Sequence, residues 1–442
     1  MKKTLLLLVF ISFLNANITI KNAWQKVLQV DEGLKASKME VEHSYQLKKA
    51  ARSMYLPDLS LSGSYTRIEK ELAIEGDIDL SSIGIPISVP YNLPLQDQDI
   101  FIANLSLLWP IYTGGKIDAA QDMYAAQEQE TKAKYQMEKD KSFLKLIQIY
   151  YGVVISEALL KTRVEAQNAL THHYENAKKL KSAGQVASIE VLNARVKLDS
   201  AKIETRKAKY KYEIIKLALK DMIGESQTPS SYLFIDTKLK DEKEFEKNTL
   251  ESYAGLDVIK SKKNQVDSLI TIEKAAYKPT FFVFGNYLLY KDNSPLMDMT
   301  PDWTAGIGVK LNIISRDGKS EKIAAAKLLK NRLTHTLNKT QNDLTLLVQK
   351  TYKEMLQYKQ EYTDLSSSLS LAKENLRLRK LAFKEGLATS VDVVDAQMFL
   401  TGAKTKRLNA IYNYVQKISQ LAVLSGDKEL FFEFEQISME IK

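Results

Sequence analysis

The sequence predicts a mainly helical protein that carries a small amount of membrane β-structure, and three observations predict it. A Pro-free helical run of roughly a hundred residues occurs twice, from Gly115 to Gly224 and from Gly318 to Gly426. Each run folds back at a single glycine, and around those glycines the copies read Gly184-Gln-Val-Ala-Ser-Ile-Glu-Val-Leu-Asn-Ala194 and Gly386-Leu-Ala-Thr-Ser-Val-Asp-Val-Val-Asp-Ala396. Glycine, serine, valine and alanine recur in register, so the chain is an internal duplication. Each copy is preceded by two segments of period-two alternation, the pattern of strands with two unlike faces.

From the N-terminus, Lys2-Lys3, the apolar run Leu5 to Leu14 and Ala16 form an export signal over residues 1–16. That run is too short for a membrane helix, which needs roughly 20 residues. No later segment reads as a membrane helix, which leaves a periplasmic or secreted protein, or an outer-membrane β-barrel. The stretch Ile20 to Tyr55 reads as one helix, capped by Thr19 or Asn17 and stopped by Pro57. In the strand that follows, Leu59, Leu61, Gly63 and Tyr65 alternate with Ser60, Ser62, Ser64 and Thr66. One face is apolar and the other hydroxylic, as between two different media. A loop from Arg67 to Asp99 carries Pro86, Pro90 and Pro94 and reads as irregular. The strand Ile100 to Tyr112 then puts Phe101, Ala103, Leu105, Leu107 and Trp109 on one face, and Thr113-Gly-Gly-Lys116 opens the first long run.

The second half repeats this order, with Gly33-Leu34, Pro57 and Tyr65 matched by Gly255-Leu256, Pro279 and Tyr287. Its loop is shorter, and its strands are Thr280 to Tyr290 and Trp303 to Ile313. All nine prolines fall outside the long helices, each of which reaches about 100 Å at 1.5 Å per residue on its longer arm. Val191, Ala194, Leu198, Ala201, Ala208, Tyr212, Ile215, Leu219 and Met222 keep a three-four spacing. Val393, Ala396, Leu400, Ala403, Ala410, Tyr414, Leu421 and Leu424 do the same, interrupted by Arg407 and Lys417. Such a spacing makes a left-handed coiled-coil seam, so each run is an antiparallel helical hairpin. The resulting organisation is 17–224 as a first repeat, 225–248 as a linker, 249–426 as a second repeat and 427–442 as a tail.

Four strands of membrane-crossing length cannot close a barrel alone, and lipid does not tolerate open sheet edges. Several chains must therefore share one barrel; two would supply eight strands and three would supply twelve, and only the latter leaves a roomy lumen.

Composition narrows the function classes. The net charge of +9 comes from Lys and Arg interleaved with acids, as in Gln127-Glu-Gln-Glu-Thr-Lys-Ala-Lys134, which reads as solvated helix faces and not as a nucleic-acid surface. Cysteine is absent, which excludes disulfides, thiolate chemistry and a lipid-anchored cysteine. His172 and His173 are adjacent on a helix and diverge, and with His43 and His335 they read as surface residues. Gly114-Gly-Lys116 and Gly306-Ile-Gly308 lack the rest of a phosphate-binding or dinucleotide motif. The chain is expected to be no enzyme and to hold neither metal nor cofactor.

The duplicated strand-pair and hairpin plan, with the motif from Gly184 to Arg195 and its copy at Gly386, resembles the TolC family of outer-membrane efflux ducts over essentially the whole mature chain. The resemblance implies a homotrimer with a twelve-stranded barrel in outer-membrane lipid and a helical α-barrel tunnel extending into the periplasm. It implies a duct for tripartite efflux or type I secretion, fed by an inner-membrane RND, ABC or MFS pump through a periplasmic adaptor. Segments 224–249 and 426–442 would form a belt around the tunnel. By the same resemblance the hairpin tips meet the adaptor through Gly184, Gln185, Val186, Gly386, Leu387 and Ala388. The glycines also suit a purely conformational role as left-handed turn residues.

Acidic entrance residues of the family fall on Asp392 and Asp395, which in a trimer would stack as two carboxylate rings favouring cations. Thr389 to Asp392 also has capping-box spacing, so helix capping is the competing role. Where the family's entrance lock has a tyrosine and an arginine at the second tip and an aspartate at the first, this chain has Phe383, Ala388 and Glu190. A salt-bridge lock is therefore not carried over, and a differently sealed entrance is expected. The rival function is a non-conducting periplasmic coiled-coil protein, which leaves Phe, Trp and Leu on the strands without a purpose. A porin-like channel leaves the long helices without one.

Overall fold

The structure is a computed structural model that describes residues 17–235, 240–314, 316–437 and 439–440; the expected signal and its cleavage after Ala16 lie outside the described residues. The first half runs β1 (Asn17–Ile18), α1 (Ile20–Val30), α2 (Glu32–Arg52), β2 (Asp58–Arg67), β3 (Leu72–Asp79), β4 (Ser88–Gln96), β5 (Asp99–Tyr112), α3 (Lys116–Ser182) and α4 (Ser188–Ile223). After β6 (Thr228–Pro229), β7 (Phe234–Ile235) and α5 (Glu242–Ser252), the second half runs α6 (Ala254–Ala275), β8 (Thr280–Lys291), α7 (Pro295–Asp298), β9 (Trp303–Lys310), α8 (Lys319–Lys384) and α9 (Ser390–Leu424). It closes with α10 (Lys428–Ile437) and β10 (Met439–Glu440). The chain divides into two compact units, 1–41 with 131–259 and 336–442, and 42–130 with 260–335.

Three expectations are corrected at the level of elements. The helix expected over Ile20 to Tyr55 is two helices and a 3-10 turn, although Thr19 does cap it by accepting from the Asn22 N–H at 3.2 Å. Asp31 breaks it: its carboxylate accepts from the N–H groups of Gly33 and Leu34 at 2.8 and 3.1 Å, ending one helix and starting the next. The loop expected over Arg67 to Asp99 contains an antiparallel hairpin of β3 and β4. Pro90 and Pro94 sit within β4 at same-parity positions; in a two-stranded ribbon such positions can turn their missing N–H groups to the free edge. The strand expected to reach Ile313 ends at Lys310.

In the unit built on 42–130 and 260–335, β2, β5, β8 and β9 form an antiparallel sheet in that order. Leu59, Leu61 and Tyr65 pair with Leu107, Leu105 and Phe101. Leu105, Leu107 and Trp109 pair onward with Tyr287, Gly285 and Val283, which meet Trp303, Ala305 and Ile307. One face is thus apolar across all four strands, and it stays uncovered, with Ile307 at 87% exposure and Leu61 at 70%. The opposite face carries a polar ladder in which Ser62 donates to Asn104, Asn104 to Ser106 at 3.1 Å and Ser106 to Asn286 at 2.9 Å. Both edge strands, β2 and β9, have an unpaired side. In the same unit Glu128 and Glu130, which the sequence places on a solvated face, are buried. Lys48 meets Glu128 at 2.8 Å, and Gln265 donates to Glu130 at 2.7 Å, so buried acids here carry partners as their desolvation requires.

In the other unit an aromatic core gathers Trp24, Phe143, Tyr150, Tyr151, Phe234 and Phe431. Helix α3 contains a window of mean hydropathy 1.5, apolar enough to cross a membrane by composition, contrary to expectation. On that helix Phe143, Leu146, Ile147, Tyr150 and Tyr151 have no exposed surface and lie in this core. Tyr150 donates to the Ile18 carbonyl at 2.7 Å and Tyr151 to Glu435 at 2.7 Å. Burial pushes both phenols above their ordinary range, which keeps them neutral donors. The α9 seam lies where its spacing puts it, with Val393, Ala396, Leu400, Ala403, Ala410, Tyr414, Leu421 and Leu424 all buried. Its two interruptions are paired on α8: Arg407 stacks 4.2 Å over the Tyr362 ring and Lys417 meets Glu354 at 2.7 Å.

Candidate functional site at the hairpin tips

Both tips end their first helix in the same way. The Gln185 N–H reaches back to the Leu180 carbonyl at 2.9 Å and the Gly184 N–H to Lys181 at 2.9 Å; Leu387 and Gly386 repeat this with Ala382 at 2.8 Å and Phe383 at 3.2 Å. These are Schellman closures, which place the glycine in the left-handed region, here at φ 73° and 70°. A Cβ at either glycine would meet nothing within 4 Å, so conformation and not space requires glycine there. Gln185 and Leu387 are exposed, Leu387 at 82%, whereas Val186 and Ala388 pack against the apolar cluster of the tips.

The second tip starts α9 with a complete capping box. Thr389 accepts from the Asp392 N–H at 3.2 Å, and the Asp392 carboxylate accepts from the Thr389 N–H at 2.9 Å and from its hydroxyl at 2.7 Å. Those hydrogen bonds, with Arg379 at 3.4 Å, hold the Asp392 carboxyl below its usual range. Asp395 is exposed one turn further on.

What links the two tips is a cluster that sequence spacing did not assemble. Glu190 on α4 accepts from the Ser390 N–H at 2.6 Å, across from one hairpin to the other at the positive end of α9. His173 on α3 shares a 2.6 Å hydrogen bond between its Nε2 and the Ser390 hydroxyl, and its ring lies 4.7 Å from that of Phe383. The expectation of a surface His173 is therefore wrong: it is buried, while His43, His172 and His335 are exposed. Ala166, Leu170, His173 and Ala177 are all buried at alternating four and three spacing on α3. That seam, had it been traced on α3 as it was on α4, marks His173 as inward-facing. Burial lowers the His173 pKa, with Lys380 acting in the same direction and Glu190 against it. The imidazole is therefore held neutral, and the two tips are joined by the His173–Ser390 hydrogen bond and by Glu190 on the Ser390 N–H.

Beside this clamp, between α3 and α8, lies a cleft of 510 Å³ with an apolar floor of Leu180 and Phe383 and a rim of Lys179, Arg377, Lys380 and Lys384. Among the described residues no group of three or more His, Asp or Glu has metal-site geometry.

An open sheet with one apolar face and two unpaired edge strands needs further strands to close. Residues 23–225, a little under half of the chain, match the description of the outer membrane efflux protein family, and the second half repeats the element order of the first. The same fold over nearly the full length is found in solved structures of low identity. CusC, described for its transmembrane channel formation, is 12% identical with a TM-score of 0.78 over 93% of each chain. The outer membrane protein VceC of Vibrio cholerae is 14% identical with a TM-score of 0.75, covering 92% of this chain and 96% of that one. The CmeC outer membrane channel of Campylobacter jejuni is 17% identical with a TM-score of 0.71, covering 95% and 89%. No curated protein matches the sequence.

Proposed function

We propose that three copies of this chain form an outer-membrane duct that extends into the periplasm and conducts cargo delivered by an inner-membrane pump through a periplasmic adaptor. The observation that carries the reading is the four-stranded sheet, apolar on one face, crossed on the other by the hydrogen-bonded ladder of Ser62, Asn104, Ser106 and Asn286, with β2 and β9 open at its edges. Lipid removes the option of leaving those edges unpaired. Pairing β9 of one protomer with β2 of the next closes a ring, and three protomers give a barrel wide enough for a polar bore. Gly184, Gln185, Gly386 and Leu387 then stand at the adaptor-facing tips, with Val186 and Ala388 as the apolar support beneath them. Asp392 and Asp395 ring the periplasmic entrance, Asp392 serving as cap and ring at once, while Glu190 braces it.

Planar-bilayer recording of the purified mature protein, with its native mass measured alongside, tests this. A trimer is expected to pass small cation-selective currents that divalent cations block, and Asp392→Asn with Asp395→Asn is expected to weaken that block. A non-conducting monomer or dimer would overturn the duct. For the tips, Leu387→Glu is expected to leave trimer and conductance intact but to reduce pump-dependent efflux in cells by about tenfold, the loss of one apolar hot-spot contact. Unchanged efflux would remove Leu387 from the adaptor contact.

A further inference from the structure

The sheet carries the internal duplication in its pairing as well as in its sequence. Gly63 pairs with Ala103 as Gly285 pairs with Ala305, and Tyr65 pairs with Phe101 as Tyr287 pairs with Trp303. Leu61 with Leu105 recurs as Val283 with Ile307. Strands β2 and β5 are therefore one structural unit, and β8 and β9 are its copy in the same register. Between the units, β5 meets β8 with Leu105 opposite Tyr287, Leu107 opposite Gly285 and Leu108 opposite Phe284. Strand β9 ends the second unit as β5 ends the first, and β2 of a neighbouring copy starts the next unit as β8 does. The same junction repeated there sets Ile307 opposite Tyr65, Val309 opposite Gly63 and Lys310 opposite Ser62 of the neighbouring copy. That register keeps the apolar side chains on one face, which a slip by one residue would not do.

Lys310 stands on the polar face at this junction. It shares its side of β9 with Thr304, which pairs with Asn286 of the hydrogen-bonded ladder. Between them lie Gly306 and Gly308, with the rings of Phe284 and Phe282 packed where a Cβ of either glycine would be. Among the described residues Lys310 makes no ion pair. It is the charged group on this face between Asp58 at the helix end and the Lys291–Asp302 pair at the far end. Asp58 of the neighbouring copy stands four residues beyond Ser62, about 13 Å along the strand and too far to neutralise it by contact. A lysine on an edge strand can serve to deter pairing, but here the edge must pair for the sheet to close in lipid.

We propose that neighbouring copies close in this register and that their three Lys310 side chains form a ring of ammonium groups on the inner wall of the barrel, flanked by the Ser62 hydroxyls, which favours anions and anionic cargo over cations. The inference rests on the duct reading above and adds to it a residue that selects by charge. Twelve strands spaced about 4.8 Å apart and tilted about 40° close at a radius on the order of 12 Å. An ammonium on that wall acts on ions at the axis across about one Debye length at about 0.1 M salt. Rings of Lys or Arg select anions in pores on this principle. The sign is opposite to that of the carboxylates at the hairpin tips, so the two bands are separable by measurement.

The absence of cysteine makes the register directly testable. Ile307→Cys combined with Tyr65→Cys puts two thiols within disulfide reach across the junction, and oxidation in the outer membrane is expected to give a covalent trimer on a denaturing gel. Ile307→Cys with Leu61→Cys displaces one thiol by about 13 Å along the strand and is expected to give none. Linkage by the second pair, or by neither in protein whose native mass is a trimer, would overturn the register. Protein that is no trimer at all would instead remove the duct reading. In planar bilayers at about 0.1 M KCl, Lys310→Glu is expected to raise the potassium-to-chloride permeability ratio about threefold, with the difference shrinking at about 1 M. Lys310→Gln should shift the ratio in the same direction by less, and Lys310→Arg, which keeps the charge, should retain the wild-type ratio. A trimer whose ratio is the same with Lys, Gln or Glu at this position would overturn the ring.

Discussion

Val196→Asp combined with Ile203→Asp is expected to leave a helical protomer that no longer assembles, read as a shift of native mass from trimer to monomer at unchanged helical circular dichroism. The reason is a second seam on α4. Leu192, Val196, Ile203, Tyr210 and Leu217 recur at four- and seven-residue intervals and are all more than half exposed in the protomer. A heptad row is the pattern of a helix that packs against another helix, and Ala194, Leu198 and Leu219 already fill the seam that faces the chain's own core. The outer row has no partner within the protomer, so a neighbouring copy is the natural one. Burying such a side chain contributes about 1.5–3 kcal/mol. Two of them in each of three protomers make a loss on the order of 10 kcal/mol per trimer, before the cost of placing carboxylates in the interface. A trimer that survives both substitutions would place the interface elsewhere.

The outer seam was not read from the sequence, although its spacing, like that of the inner one, lies on a helix without proline or interior glycine. The strand faces were legible: period two in Leu59 to Tyr65 and in Trp303 to Val309 fixes which side chains share a side, and the register adds only which strands are neighbours. Capping at Thr389 and Asp392 followed from their spacing alone. What escaped was decided by contacts remote in sequence or by backbone competition. Asp31 is one residue whose carboxylate outbids the helix for two N–H groups, a choice that periodicity does not register. Pro90 and Pro94 argue against a strand unless it is known to have a free edge. Glu128 and Glu130 look solvated until Lys48 and Gln265 are brought to them from α2 and α6.

His173 is the most consequential of these, because its partner lies across the chain at Ser390. Lowering the pH from about 7 to about 5.5 is expected to loosen the tips of the wild-type duct and raise its open conductance several-fold, while His173→Gln stays flat over that range. The sign follows from the surroundings of the ring. Burial and Lys380 on α8 depress the His173 pKa, and Glu190 on α4 only partly offsets them. Folding therefore favours the neutral imidazole, and its contribution is complete above the ordinary histidine value near 6.5. As the pH falls below that value the folded tip must either take up a buried positive charge or release the ring, and stability is lost. Asp392 does not confound this window, because its hydrogen bonds to Thr389 keep it ionised to lower pH. The Gln side chain can keep a hydrogen bond to the Ser390 hydroxyl without titrating, so it separates proton uptake from simple loss of packing. Equal acid responses in wild type and His173→Gln would move the sensor off this residue and leave the Ser390 clamp as a structural brace alone.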